Sequence, residues 1–527
     1  MLKKLPTGIQ NIGKILKGKN YVYVDKTDFV KNLIDAGAPH YFMSRPRRFG
    51  KSLFLDTLGE VFKGNKELFK NCSIYNSDYE WESHPVILID FSQIANRDSD
   101  EFEGSLKRTL QEIATSYGIS IEAPTFQEGL KKLIVGLFSQ ETNRVVVLID
   151  EYDHPIINNL VNPEVVEKNR NIMKNFFGTL KGLDKYVRFT FVTGVTKFSQ
   201  VSLFSGPNHL TDITMDSNYA TAMGYTEKEV KNYFIEHIQS VADQRQCTEE
   251  AVLEELRIWY NGYRFSKEPL SVYNPYSTLR FLSSGEAKGY WYSSGTPSFL
   301  IDQLKKHEMI SLDGTTATEE DLMDNSVLDQ IELKALMYQA GYFTIQDYNP
   351  ISKRYHLGLP NEEVRSAFIH SLVKNFASII DVKSSKPFVQ ALKKHQLNPL
   401  FQHINVGFSS FAYQVFAGAK ECTYQGMLLS MLYGMGFDPL SEQPTNTGRL
   451  DVVLDMPSIT YLLELKLDGT AEAALEQIRK KEYFKPYTQK GKEIVLIGAN
   501  FSSTQRQISE WRGELLSESG IFLRKLI

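Results

Sequence analysis

Two stretches far apart in the chain carry residue types suited to phosphate chemistry. The first is Ser44-Arg45-Pro46-Arg47-Arg48-Phe49-Gly50-Lys51-Ser52-Leu53, preceded by the apolar run His40-Tyr41-Phe42-Met43 and followed by a helical pattern to Phe62. This reads as strand, turn and helix, with Lys-Ser at the helix start. A helix N-terminus presents unpaired N–H groups and a positive dipole end, which suits a phosphate. Lys51 can reach the β- and γ-phosphates of a nucleotide, and the Ser52 hydroxyl can ligate Mg²⁺. The motif G-x-x-x-x-G-K-[ST] is met only in part: Arg45 stands where its first glycine would be, and Pro46 removes one backbone donor. Taken alone, Gly50-Lys51-Ser52 is equally an ordinary helix start.

The second stretch is Arg144-Val145-Val146-Val147-Leu148-Ile149-Asp150-Glu151-Tyr152-Asp153. A continuous apolar run is the mark of a strand buried on both faces. Carboxylates at the carboxyl end of such a strand sit where α/β sheets bind ligands. In that setting Asp150 holds Mg²⁺ through water and Glu151 activates the attacking water. A buried strand that ends in a solvated acidic turn is the plainer alternative. Both stretches in this order, with helical patterns between them, point to a P-loop ATPase.

A third constellation lies near the C-terminus. Gly448-Arg449-Leu450-Asp451 to Asp455 and Tyr461-Leu462-Leu463-Glu464-Leu465-Lys466 read as strands joined by a Met456-Pro457-Ser458 turn. Glu464 and Lys466 project from one strand face, and hairpin pairing can bring Asp451 beside Glu464. Two converging carboxylates bind a hard cation such as Mg²⁺. A lysine beside them can orient water and stabilise the charge of a phosphoryl transition state. Gln477, on the following helix, is a supporting candidate, and Glu421, at the start of a helical stretch, a candidate third acid. Alternating Glu and Lys on an exposed strand is also commonplace. Lys480, Lys481, Lys485, Lys490 and Lys492 could contact phosphates or form a solvated basic face.

The elements that must position these groups follow from periodicity. Strands at Pro85–Phe91 and Val187–Thr193 alternate with helical patterns over Glu101–Tyr117, Thr125–Phe138 and Glu164–Leu180, which argues a parallel sheet covered on both faces. A short strand over Leu210–Met215 is expected to end that core. From about Met223 the pattern turns helical and aromatic, with Trp259–Phe265, Val272–Ser277 and Tyr290–Gly295 reading as lid packing or, less economically, as base-stacking platforms. Strand-like Tyr342–Asp347 and Arg354–Leu359 suggest a small mixed subdomain, and Glu362–Phe376 a further helix. No nucleotide contact is assigned to the segment before the first strand, including Asp25–Thr27. The expected organisation is 1–220, 221–390 and 391–527.

Composition narrows the class. The chain has 527 residues, enough for two to four domains, with ordinary hydrophobic (42%) and charged (23%) content. A net charge of −4 leaves no global nucleic-acid footprint. The three cysteines lie far apart without metal spacing, and the ten histidines are scattered. The start lacks an apolar signal region, and no stretch is long enough to span a membrane. A cytoplasmic protein with no membrane partner is expected.

Ser44–Ser52, Tyr23-Val24-Asp25-Lys26-Thr27, Leu148–Asp153 and Val192-Thr193-Gly194-Val195-Thr196-Lys197-Phe198 together resemble the bacterial AAA-ATPase-like family. Members often carry a C-terminal PD-(D/E)XK nuclease-like domain, which Asp451, Glu464-x-Lys466 and Gln477 resemble without the Asp-Pro dipeptide. In that family the arginine-rich loop is the usual form.

The resemblance implies an AAA-like parallel sheet, a helical middle region and a restriction-endonuclease-like α/β domain. It implies ATP and Mg²⁺ as cofactors, with Arg48, Phe49, Gly50, Lys51, Ser52, Leu53, Asp150 and Thr193 around the nucleotide. Thr193 is the polar residue expected to sense the γ-phosphate, or else it caps a strand end. Ser52, Asp150, Asp451 and Glu464 would hold metal; Glu151, Asp451, Glu464 and Lys466 would be catalytic. Nucleic acid, foremost DNA, is the implied partner, and a homo-oligomer is compatible with the pattern. The function implied is an ATPase coupled to a metal-dependent nuclease; the alternative is a nucleotide-dependent switch with an inactive nuclease-like domain. Arg45, Arg47 and Arg48 could serve phosphates in cis or in a neighbour.

Overall fold

The computed structural model describes residues 2–18, 20–160, 162–197, 210–291, 315–323, 333–368, 390–409, 421–434, 437, 439–445, 448–488 and 490–526. The chain divides into two compact units, Met1–Gln303 with Leu312–Arg365, and Leu304–Ser311 with Ser366–Ile527.

The first unit is built on a five-stranded parallel sheet. Its strands are β1 (His40–Ser44), β2 (Val86–Asp90), β3 (Val145–Asp150), β4 (Val187–Gly194) and β5 (Thr211–Asp212), in the order β2-β3-β4-β1-β5. The strand after the acidic one therefore lies between it and the strand that leads into Gly50-Lys51-Ser52. β1 and β3 are buried at every position, as unbroken apolar runs require. Helices Lys51–Phe62, Ser99–Ser116, Phe126–Glu141 and Pro163–Lys181 connect the strands. Asp98, Thr125 and Asn162 cap the last three by accepting backbone N–H bonds.

Two local expectations need correction. β5 is only two residues long rather than Leu210–Met215, because Asp212 accepts Thr214 N–H at 2.9 Å and turns the chain. The helix that the pattern predicts over Thr226–Ser240 breaks at Phe234 into Glu227–Tyr233 and Ile235–Arg245. Tyr292–Gly295 and the end of the Glu362–Phe376 pattern lie outside the described residues.

Helices Glu249–Tyr260 and Pro275–Ser284 follow, with a small hairpin of β6 (Tyr263–Arg264) and β7 (Ser271–Val272) between them. A three-stranded sheet of β8 (Thr315–Ala317), β9 (Thr344–Asn349) and β10 (Arg354–Gly358) is the mixed subdomain read from the sequence. The aromatic phrases of this region pack inward: Tyr260, Tyr263, Phe265 and Tyr273 are all buried.

The second unit is a six-stranded mixed sheet of β11 (Pro439–Thr445), β12 (Gly448–Asp455), β13 (Ile459–Leu467), β14 (Glu493–Ser502), β15 (Gln507–Leu516) and β16 (Phe522–Leu526), in sequence order. β12 and β13 form an antiparallel hairpin closed by a Met456 N–H to Ile459 C=O bond of 2.9 Å. β13 and β14 are parallel, joined by the helix Ala471–Lys480. That helix crosses directly over Gly498 on β14, where a Cβ would lie 2.1 Å from Ala471 C=O. The sequence pattern points to β12, to β13 and, in the run Glu493–Gly498, to β14, but not to β11, β15 and β16.

Candidate functional sites

The turn after β1 is a cradle of left-handed residues. Arg48 has φ +67° and Gly50 φ +93°, and a Cβ at Gly50 would meet nothing within 4 Å. This open backbone sits on a cavity of about 410 Å³, with Lys51, Ser52, Asp150 and Glu151 in its wall. Lys51 is only 4% exposed. Its Nζ lies 3.2 Å from Arg45 C=O, 3.3 Å from Pro46 C=O and 3.5 Å from Glu151 Oε1. The ammonium thus bridges the loop to the acidic end of β3, and Ser52 lines the same wall as Asp150.

The three arginines of the loop have different fates. Arg45 points away from the cavity, 1% exposed, donating to the carbonyls of Ser44, Thr214 and Tyr219 with its guanidinium 4.2 Å from the Phe265 ring. Burial lowers its pKa to about 10. It stands in place of the first glycine because its side chain stitches β1 to the segment after β5. Arg48 lies over the Tyr276 ring at 5.0 Å, and Arg47 lines the cavity.

Leu53 also lines the cavity, but two expected residues do not. Phe49 is buried edge-on against Tyr263 (4.7 Å) and Phe265 (5.4 Å), anchoring the loop. Thr193 is fully buried, and its hydroxyl donates to Met43 C=O at 2.8 Å, tying β4 to β1. Asp153 accepts from the Val195 and Thr196 amides and the Thr196 hydroxyl, bracing the end of β4.

Other wall residues escaped the sequence reading. Asp90 ends β2 in register with Asp150 and faces the same cavity; the rule that singled out Asp150 applied to it equally. His154 follows the acidic pair by three positions. Pro6, Gly8, Ile9 and Gln10 line the cavity too, with Tyr225 and Tyr276. Asp25 and Thr27 are structural: Asp25 caps Thr27 and accepts from Ser73.

In the second unit, Asp451 lies one step beyond the Val452–Leu463 pair and so opposite Glu464. Asp451 Oδ2 accepts Leu465 N–H at 2.8 Å, and Glu421 Oε2 accepts Leu467 N–H at 3.0 Å. Glu464 Oε1 accepts from Gln477 Nε2 and lies 3.5 Å from Lys466 Nζ. Its Oε2 is buried with no partner, an orphan acceptor of the kind a cation satisfies. Among the described residues no three acids, histidines or cysteines are grouped closely enough to hold a metal ion by themselves. The lysines beyond the helix are partly engaged: Lys485 pairs with Glu482 and Lys492 with Asp455.

Residues 6–204 match the family described as "Predicted AAA-ATPase", and residues 419–511 match the PD-(D/E)XK nuclease superfamily. An "uncharacterized protein in vnfD 5' region" of Azotobacter chroococcum mcd 1 is 36% identical over 524 residues, covering 96% of this chain and 98% of that one. The chain belongs to the AAA-ATPase-like family with a C-terminal PD-(D/E)XK domain. Among solved structures, the Aeropyrum pernix ORC2 protein (ADPNP–ADP complexes) and Drosophila ORC bound to DNA are 12% and 10% identical. Each covers 68% of this chain, with 96% and 92% of their own chains matched, at a TM-score of 0.25. At that score neither adds to the argument.

The AAA-like fold implies nucleotide binding, and the electrostatics of the AAA-ATPase-like site fit a phosphate and a cation. Burial and the neighbouring Glu151 push Asp150 up to about 6, against the pull of Lys51 and Ser52. Burial would raise Glu151 as well, but Lys51 and Arg47 outweigh it and hold the carboxyl below its usual range. In the PD-(D/E)XK domain, burial and then Asp451 push Glu464 up to about 7. In each site one carboxyl, Asp150 or Glu464, is pushed up by burial and a neighbouring acid, a penalty that a bound cation would relieve. Among the described residues, no helix is long and apolar enough to cross a membrane.

Proposed function

We propose that this protein binds and hydrolyses ATP and that nucleotide turnover drives metal-dependent phosphodiester cleavage of nucleic acid, foremost DNA, by its C-terminal domain. The observation that carries the first half is the contact of Lys51 with Glu151 across an open left-handed loop. Gly50, Lys51, Ser52 and Leu53 would hold the phosphates, with Arg47 and Arg48 beside them. Ser52 and Asp150 would hold Mg²⁺, which supplies charge neutralisation between the phosphates when bound. Glu151, charged and facing the cavity, would accept the proton of the attacking water.

In the C-terminal domain, Asp451 and the orphan Oε2 of Glu464 would hold Mg²⁺. Mg²⁺ characteristically takes one or two carboxylates and completes its shell with water and substrate phosphate, so a two-acid site suffices. Lys466 would polarise the water, and Gln477 would fix the Glu464 carboxylate.

A second reading has one observation behind it. Oxygens of Asp451 and Glu421 are already taken by backbone amides, which favours a nucleotide-dependent switch with a silent nuclease-like domain. ATP binding and hydrolysis of wild type, Lys51→Ala and Glu151→Gln test the first half. The expected pattern is loss of binding in Lys51→Ala and retained binding without hydrolysis in Glu151→Gln. Equal hydrolysis by all three would overturn the assignment.

A further inference from the structure

His154 sits at the acidic end of the cavity, where Glu151 and Asp90 act on its ring electrostatically. Its Nδ1 is 3.2 Å from Asn96 Nδ2. The Asn96 amide cannot be turned round. Its Nδ2 donates to Ile94 C=O at 2.9 Å, and its Oδ1 accepts from Asn159 Nδ2 at 3.1 Å and from Asn158 Nδ2 at 3.4 Å. Asn96 is itself buried, and its own carbonyl accepts from Asn159 and Asn169. Asn96 therefore donates to Nδ1, which must be the unprotonated nitrogen, and the ring proton resides on Nε2. Four asparagines from three segments are spent on fixing one tautomer.

The position gives that tautomer a use. The cavity wall carries three acids, Asp90, Asp150 and Glu151, and those without a bound cation repel a terminal phosphate. Donors there must separate phosphate oxygens from carboxylates. Lys51 reaches from the loop side; His154 is on the far side of Glu151 in sequence and offers a neutral N–H.

We propose that His154 Nε2–H donates to the terminal phosphate of ATP, so that the site distinguishes ATP from ADP, with Asn96 as the residue that positions it. This rests on the nucleotide reading of the same cavity. It also gives the distinction of phosphate number to the segment after β3, since Thr193 is committed to Met43.

The test is calorimetric titration of the full chain with Mg²⁺ and either ADP or the non-hydrolysable analogue adenylyl imidodiphosphate. A hydrogen bond to a charged group sets the scale, so His154→Ala is expected to weaken the analogue roughly ten- to a hundredfold. ADP affinity should stay within about twofold, and His154→Gln, which keeps an N–H near Nε2, should restore most of the preference. A fall of both ligands together, or of neither, would overturn the role of His154 while leaving the nucleotide site standing. Wild type that binds neither ligand would overturn the site itself and the inference with it.

Discussion

The indole Nε1 of Trp291 donates to the backbone carbonyl of Arg47 at 3.1 Å. The aromatic middle region thus grips the loop after β1 by its main chain. Trp291 is gripped in turn: its own N–H donates to Glu363 Oε1 at 2.7 Å, and its ring packs on Tyr342 at 5.2 Å. Trp291→Phe keeps an aromatic ring and loses only the indole donor. Thermal denaturation should register about 1 kcal/mol of lost stability, and ATP titration a several-fold weaker affinity. Unchanged ATP affinity would mean that the loop holds its shape without this strut.

Glu363 gives a pH dependence whose sign can be worked out. It is fully buried, one oxygen has no partner, and burial raises its pKa to about 7. The folded protein therefore binds this proton more tightly than the unfolded chain, whose carboxyl titrates near its ordinary value of about 4.3. Its contribution is complete below that ordinary value and is lost as pH rises through about 7. Melting curves of wild type and Glu363→Gln across roughly pH 5 to 8 should show wild type losing ground to the variant as pH rises. Parallel curves would place the proton elsewhere.

Removing metal should act on the C-terminal domain through Glu464. With Oε2 buried and unpartnered, added Mg²⁺ is expected to raise the melting temperature and EDTA to reverse it, by ligand linkage. Glu464→Gln should abolish the Mg²⁺ response attributable to this domain without unfolding it, since the change removes a buried charge. Differential scanning fluorimetry at several Mg²⁺ concentrations reads this directly.

The helix that carries Gln477 depends on one glycine. Gly498→Ala would set a Cβ 2.1 Å from Ala471 C=O and 2.5 Å from Leu475 N, both backbone atoms that move only with the helix. Overpacking of this kind costs about 1–3 kcal/mol. It should also lift Gln477 from Glu464, so metal affinity and stability should fall together.

Much of this was legible in the sequence because the decisive signals were local. Unbroken apolar runs gave β1 and β3, and acids at strand ends marked Asp150 and Glu151. The spacing of Asp451, Glu464 and Lys466 gave a hairpin that the register bears out. What stayed hidden depended on tertiary packing. Nothing local indicates that Arg45 turns inward onto Phe265, that Thr193 spends its hydroxyl on Met43, or that Pro6, Gly8, Ile9 and Gln10 line the cavity. β15 and β16 were missed because exposed and charged positions interrupt their alternation.

The most direct measurement is degradation of plasmid and single-stranded DNA with Mg²⁺ or Mn²⁺, with and without ATP, by wild type, Lys51→Ala and Glu464→Ala. The account predicts cleavage that requires ATP, Lys51 and Glu464 together. Absence of cleavage with either metal, in protein that still binds ATP, would contradict it and leave the nucleotide-dependent switch.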